Sequence, residues 1–399
     1  MGIAIIFLLT CAASLAIEIG CYASEPKPLP EALDLASMQL LQKVYESSDD
    51  KNVVLSPLGV FTLLSLYVSN VEGQIADEIV NFLGAANHTQ LTDSYRELSR
   101  ELSDVNPDVL SFLNNVFIDS QHSFDYSFYL NARSYKSELE VIDVRDPKSA
   151  AQTINEWVSS KTEGKINEIV SKDDIMYNQL VSLYNVIYLK GLWGVPFDAH
   201  NTRENCFITD DLQLIEKPMM HILQSLDYYE DDEGANARMI QLPYKESKLK
   251  MVVVLPNRLD GLPMLLNWIS KTGLLHYVNR MNHSESQISL HLPRFEIKSK
   301  HHLKNVLSQV GISSIFHKTV YGVINQGPVA VEKVFQEAFV SVDENGSTAG
   351  GAAGLDIELL LQLFNRRSLT PPIPFLVNRP FLFAILYDDL VLLTGTLSH

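Results

Sequence analysis

The run Val340-Ser341-Val342-Asp343-Glu344-Asn345-Gly346-Ser347-Thr348-Ala349-Gly350-Gly351-Ala352-Ala353-Gly354 passes from a strand pattern straight into a tract of very small residues. A mixed stretch follows, and the chain then returns as Pro374-Phe375-Leu376-Val377-Asn378-Arg379-Pro380-Phe381. Side chains this small build no core of their own. They suit a segment that is mobile in one state and slides between close-packed strands in another. Such a chain is expected to work by changing shape more than through a fixed active site.

Elsewhere the pattern is that of a large α+β protein. Glu31 to Tyr45 carries Leu33, Met38, Leu41, Val44 and Tyr45 at helical spacing. Asn52 to Pro57 reads as a short strand running into a helix start. Ser56 can cap that helix, and Pro57 suits its first position, where a missing N–H does no harm. Leu58 to Val68 is apolar nearly all round and is expected to be central. Thr92 to Leu102 reads as a surface helix, and Asp146-Pro147 opens another through Trp157. Strands are expected at Phe112–Ile118, Leu180–Leu189, Met251–Leu255, Gln287–Phe295 and Val329–Val342. A closing hairpin is expected over Phe375–Tyr387 and Leu390–Leu397, turning at Asp388-Asp389. Helices crowd the first half and strands the second, which is not the alternation of a doubly wound sheet.

Residues 1–23 read as a secretory signal, with Ile3 to Ala16 almost wholly apolar and cleavage expected after Ala23, with Ala16 before Ile17 as a rival. That stretch is shorter than the roughly 20 residues of a spanning helix. No linker or repeat divides the remainder, so a single domain over 30–399 is expected, and secretion follows from the signal. The net charge of −17 argues against nucleic acid and anionic membrane as partners. Cys11 and Cys21 lie in the signal, which leaves Cys206 alone and without a disulfide; a half-buried, unreactive thiol is expected there. Sequons at Asn87, Asn282 and Asn345 are candidate glycosylation sites.

Catalytic and cofactor motifs are absent. The chain has no nucleophile elbow, His-Glu-x-x-His, phosphate loop or dinucleotide fingerprint. Its histidines, His301-His302 included, lack metal-ligand spacing in the sequence. Neither an enzyme nor a cofactor is expected.

Several stretches in order resemble the serpin family. Asn52 to Pro57 resembles its N-[IV]-x-x-S-P. Ile154 to Val158 with Thr162 to Ile166 resembles I-N-x-W-V followed by T-x-G-K-I. Tyr184 to Trp193 resembles N-A-I-Y-F-K-G-x-W and is followed by Phe197 and Thr202. Leu242-Pro243-Tyr244, Leu292-Pro293-Arg294-Phe295 and Asn378-Arg379-Pro380-Phe381 fit in turn, and the opening run resembles the family's hinge. The resemblance implies three β-sheets, eight or nine helices and an exposed reactive-centre loop, here about residues 344–374. It also implies suicide-substrate inhibition: a serine protease cuts the loop, is held as an acyl-enzyme, and is carried across the molecule as the loop enters the central sheet. This insertion is a known case of strand addition and of released strain. By position, Ser56 and Asn185 match the region where the sheet parts, and Trp193 matches the aromatic where insertion begins. Glu344 matches the hinge glutamate, and Arg294 its basic partner. Gln336 stands where the family often has His.

Ser347, Ala349, Gly351 and Ala353 would share one face of an inserted strand, and no charged or bulky residue opposes their burial. With Glu344 and Gly346 they form the expected hinge. Two measures of the reactive bond disagree. Counting forward from Glu344 gives Leu360-Leu361, suited to chymotrypsin- or elastase-like proteases. Counting back from Val377 gives a window holding Arg367-Ser368, suited to a trypsin-like one. The seven extra residues add about 23 Å of tether as strand, which favours Leu360 for inhibition. The alternative is a noninhibitory member acting as carrier, storage protein or decoy substrate. Arg96 and Arg100 are outnumbered by Asp93, Glu97, Glu101 and Asp104 where polyanion-binding members are basic, so no polyanion cofactor is expected. A monomer with an extracellular serine protease as its partner is expected.

Overall fold

The computed structural model describes residues 28–105, 109–162, 164, 166–177, 179–189, 191–347 and 371–399. Among them are nine α-helices. The first six are α1 (Leu29–Ser47), α2 (Pro57–Val68), α3 (Gln74–Phe82), α4 (His88–Ser103), α5 (Tyr126–Ser134) and α6 (Pro147–Lys161). Later come α7 (Leu262–Thr272), α8 (Leu275–Val278) and α9 (Lys304–Gln309). The strands of the first half are β1 (Val53–Leu55), β2 (Leu110–Asp119), β3 (Glu138–Ile142), β4 (Val181–Leu189) and β5 (Gly191–Leu192). Then follow β6 (Arg203–Ile208), β7 (Leu214–Gln224), β8 (Asp227–Asp231), β9 (Ala237–Pro243), β10 (Leu249–Pro256) and β11 (Asn282–His283). The last are β12 (Ile288–Pro293), β13 (Phe295–His302), β14 (Lys333–Val342), β15 (Gly346–Ser347), β16 (Ile373–Leu376), β17 (Phe381–Tyr387) and β18 (Leu390–Leu397).

They form three sheets and a short ribbon. A seven-stranded sheet has the order β1-β18-β17-β10-β9-β8-β11, and a four-stranded one β16-β12-β7-β6. The central five-stranded sheet runs β13-β14-β4-β2-β3, and β15 pairs with β5 alone. The fold is α+β.

The sequence explains the frame. Ser56 Oγ accepts from Gly59 N at 3.3 Å and starts α2, with Pro57 in its first turn. Every residue of α2 is buried. The strands β4, β17 and β18 are buried along their whole length, as apolar runs covered on both faces should be. One apolar core joins α1 and α2 to the seven-stranded sheet and the inner face of the central sheet. A second lies on the outer face under α6, where Ile154, Trp157 and Val158 meet Phe117, Tyr184 and Phe335. Burying side chains of this size is worth about 1.5–3 kcal/mol each.

Three expected elements differ in extent. The alternation over Gln287–Phe295 is two strands in different sheets, separated at Arg294, whose N–H donates to Pro218 O at 2.9 Å. Val329 forms an isolated bridge with Val320, and β14 begins only at Lys333. Phe375 and Phe381 also lie in different sheets. The chain crosses between them at Val377–Pro380, where Pro380 cannot donate to a ladder and buried Arg379 donates Nε–H to Pro256 O at 2.7 Å. Cys206 is exposed, not half-buried, because β6 is the edge strand of its sheet. No helix among the described residues is long and apolar enough to cross a membrane.

Candidate functional site: a hinge laid on the central sheet

The strands β14 and β4 pair directly, in parallel, from Lys333 opposite Ser182 to Phe339 opposite Tyr188. No strand lies between them. A hydrogen-bonded bolt crosses this seam. Gln336 Nε2 donates to Asn185 Oδ1 at 2.8 Å and to Ser56 O at 2.5 Å, while Gln336 Oε1 accepts from Ser56 N at 3.0 Å. Asn185 Nδ2 continues the chain to Asn114 Oδ1 at 2.9 Å and Leu113 O at 3.1 Å on β2. Ser56, Asn185 and Gln336 are all essentially buried, so these polar groups depend on one another for satisfaction. Gly59 permits the arrangement, since a Cβ there would meet Asn185 Nδ2 at 2.1 Å. On the outer face Phe335 stacks on Tyr184 across the same seam, centroids 5.2 Å apart.

After Leu189 the chain leaves β4, and the hinge is laid upon the segment that follows. Trp193 N donates to Asn345 O at 2.8 Å, Phe197 N to Glu344 O at 2.8 Å, and the Trp193 indole to Asp343 O at 2.9 Å. Gly346 and Ser347 pair antiparallel with Leu192 and Gly191. The approach is so close that a Cβ on Gly346 would lie 1.9 Å from Gly191 O. Glycine is therefore required there for contact. Tyr244 supports the hinge from below: its ring stacks on Trp193 at 4.6 Å, and its hydroxyl meets Ser347 Oγ at 2.6 Å. Ser347 is fully buried, as a small residue allows.

Glu344 anchors this clasp. Its Oε1 accepts from Thr202 Oγ1 at 2.8 Å and lies 3.7 Å from Arg294 Nη1. The carboxylate is nearly buried, whereas Arg294 is half-exposed, so the hydrogen bond is the stronger tie and the ion pair is partly screened.

A family model described as "Serpin (serine protease inhibitor)" matches residues 31–399. The chain belongs to the serpin family. It is 26% identical to the antitrypsin of Bombyx mori over 366 residues, covering 91% of this chain and 92% of that one. It is equally 26% identical to Bombyx mori antichymotrypsin-2, over 91% and 96% of the two chains. In shape it is similar to Tenebrio molitor Serpin48, a structure described as that of a highly specific serpin. That match has a TM-score of 0.81 and 24% identity over 93% of this chain and 98% of the other. It is also similar to thyroxine-binding globulin in complex with thyroxine, at TM-score 0.81 and 20% identity, over 93% and 98% of the two chains. The fold is the serpin fold, and the activity that names the family is inhibition of serine proteases.

In this serpin the expected site residues fall into two clusters. Ser56 and Asn185 meet at the seam. Glu344, Gly346, Ser347, Trp193 and Arg294 meet at the hinge. Ala349 and both expected reactive bonds, Leu360-Leu361 and Arg367-Ser368, lie outside the described residues, as does the expected signal. Four contributors carried no role in the sequence: Thr202, Tyr244, Gly59 and Asn114. The first two sit in stretches that resemble family motifs, but which side chain each would touch is set by strands far away in sequence. Of the sequons, Asn87 is exposed and its Oδ1 caps α4 by accepting from Gln90 N at 2.9 Å. Exposed Asn282 donates Nδ2–H to Arg280 O at 3.1 Å. Asn345 is half-buried, with its backbone held in the clasp. On α4, Arg96 Nη1 pairs with Asp93 at 2.7 Å and Glu101 reaches Lys248 at 3.1 Å.

Proposed function

We propose that this serpin is a secreted inhibitor of an extracellular serine protease and acts by suicide-substrate trapping. The observation that carries this reading is the hinge, whose small residues lie at the mouth of a seam with no strand in it. After cleavage, the loop following Ser347 would enter between β14 and β4. Its entry breaks the Gln336–Asn185 bond and the parallel pairing, and replaces one ladder by two. Steric cost at the start is small, because Ser347 is already buried and every hinge residue through Gly354 is small. Leu360-Leu361 is the bond at which inhibition is expected, against chymotrypsin- or elastase-like enzymes. Cutting at Arg367-Ser368 by a trypsin-like enzyme is expected to give substrate-like turnover, because the longer tether relieves the trapped protease. Denaturing gels of mixtures with trypsin, chymotrypsin and elastase test both.

One observation favours the noninhibitory reading. The sequon at Asn345 sits on the clasp, where a glycan would hinder insertion. The same fold also serves in a structure described as thyroxine-binding globulin bound to thyroxine. The inhibitory reading requires Asn345 to be unglycosylated. Peptide mass mapping of secreted protein is expected to find it bare; full occupancy in a preparation that inhibits well would contradict that.

A further inference from the structure

Two histidines face each other on the surface of the four-stranded sheet. His221 of β7 and His291 of β12 are directly opposite in the antiparallel register. Their ring centroids are 4.4 Å apart, with the planes tilted by 25°. With Asn201, Arg203, Asn205 and Met219 they line a surface pocket of about 380 Å³. His221 Nε2 meets Ser289 Oγ at 3.1 Å, and among the described residues the His291 ring forms no hydrogen bond.

Imidazole binds borderline first-row ions through a neutral ring nitrogen. Two rings this close resist double protonation but can each give a lone pair to one dication. The outer torsion of a histidine is soft, so both rings can turn toward a common point without moving the strands. Nitrogen–metal bonds of about 2.0–2.1 Å are within reach of that separation.

We propose that His221 and His291 form a surface site for Zn²⁺, Ni²⁺ or Cu²⁺, with water filling the remaining positions. The pair is invisible to sequence spacing because the register of β7 with β12 creates it. Among the described residues no group of three or more histidine, cysteine or carboxylate ligands occurs. Two protein ligands make a weak, exchangeable site. Mg²⁺ and Ca²⁺, which prefer oxygen ligands, are excluded. An ion here ties β7 to the strand that carries β16 and leads through Pro293 into Arg294, the partner of Glu344. Occupancy therefore braces the sheet beside the hinge.

Calorimetric titration of the full chain with Zn²⁺ and Ni²⁺ at pH 7.5 tests the site without any protease, so its result is independent of inhibition. His221→Asn and His291→Asn are each expected to lower affinity at least tenfold. His283→Asn, which alters an exposed histidine 3.1 Å from Asp227, is expected to leave it unchanged. Arg203 Nη1 donates to Thr202 O at 2.8 Å and its charge opposes a cation. Arg203→Gln should therefore tighten binding, whereas an anion pocket would respond in the opposite sense. Zn²⁺ should raise the melting temperature of the unaltered protein but not of the two variants. Equal affinity in all three proteins overturns the proposal. Electron paramagnetic resonance with substoichiometric Cu²⁺ needs no variant: coupling to two imidazole nitrogens is expected, and coupling to one or none overturns it.

Discussion

Glu344 joins two residues that sequence alone does not link, Thr202 before β6 and Arg294 between β12 and β13. Thr202→Val keeps the shape and removes the donor to a nearly buried carboxylate. It is expected to lower stability of the uncut protein by about 1.5–3 kcal/mol, measured by chemical denaturation. Residue-scale pH dependence arises at His301, which lies opposite Gln336, is buried, and donates Nε2–H to Val54 O at 2.9 Å. Burial holds its folded pKa below the ordinary value, the Val54 carbonyl works against that, and neighbouring His302 adds to it. The unfolded chain therefore takes up the proton first. This contribution is complete above about pH 6.5 and is lost as pH falls below it. His291 and His302 are shifted in the same direction, so the part of the slope that disappears in His301→Gln belongs to His301. Denaturation midpoints from pH 7.5 to 5 are expected to fall less steeply in that variant. The hinge glutamate and its basic partner were legible because both lie in linear motifs. Thr202 and Tyr244 were not singled out, since their roles exist only where β5, β6 and the hinge converge.

Among the elements, the seam between β14 and β4 is where the proposed insertion would part the sheet. Three side chains and one backbone set its strength: Asn185 and Gln336 from the two strands, Asn114 from β2, and the Ser56 N–H and C=O at the helix start. Gly59 on α2 gives them room. Alanine on a helix is ordinarily more stable than glycine by about 1 kcal/mol. Here Gly59→Ala is expected to act with the opposite sign, because the added methyl displaces Asn185 and leaves buried amide groups unpaired. Thermal unfolding of the two uncut proteins checks this, and a gain in the alanine variant would remove the bolt from the account. Most elements were legible from caps and periodicity, as Ser56-Pro57 and Asp146-Pro147 show. Boundaries failed where two short patterns were read as one. Ile288, Leu290 and Leu292 alternate, but the phase slips by one at Pro293-Arg294 before Phe295 and Ile297, and the apolar runs Phe375–Val377 and Phe381–Tyr387 are parted by Asn378-Arg379-Pro380. Each segment joins two sheets, and tertiary pairing shows that the slip at Arg294 and the Asn-Arg-Pro interruption mark a change of sheet.

At the scale of the whole molecule, the described state holds five strands in the central sheet, with β14 paired directly to β4 where the proposed insertion would add a sixth. Family and fold were legible from ordered motifs spread along the chain. The reactive bond was not, because the same loop offers Leu360-Leu361 and Arg367-Ser368 at different tether lengths. Insertion trades one parallel ladder for two new ones and buries small side chains, so a cut and inserted chain is expected to melt well above the intact one. A chain that is cut without inserting keeps its original melting temperature. The direct test is to mix the protein with chymotrypsin, elastase and trypsin, follow the products on denaturing gels with mass spectrometry, and melt the cleaved material. The account predicts a gel-stable covalent complex with a chymotrypsin- or elastase-like enzyme, joined at Leu360, and cleaved protein of raised heat stability. Clean cleavage by all three enzymes, with no complex and no gain in heat stability, would contradict it.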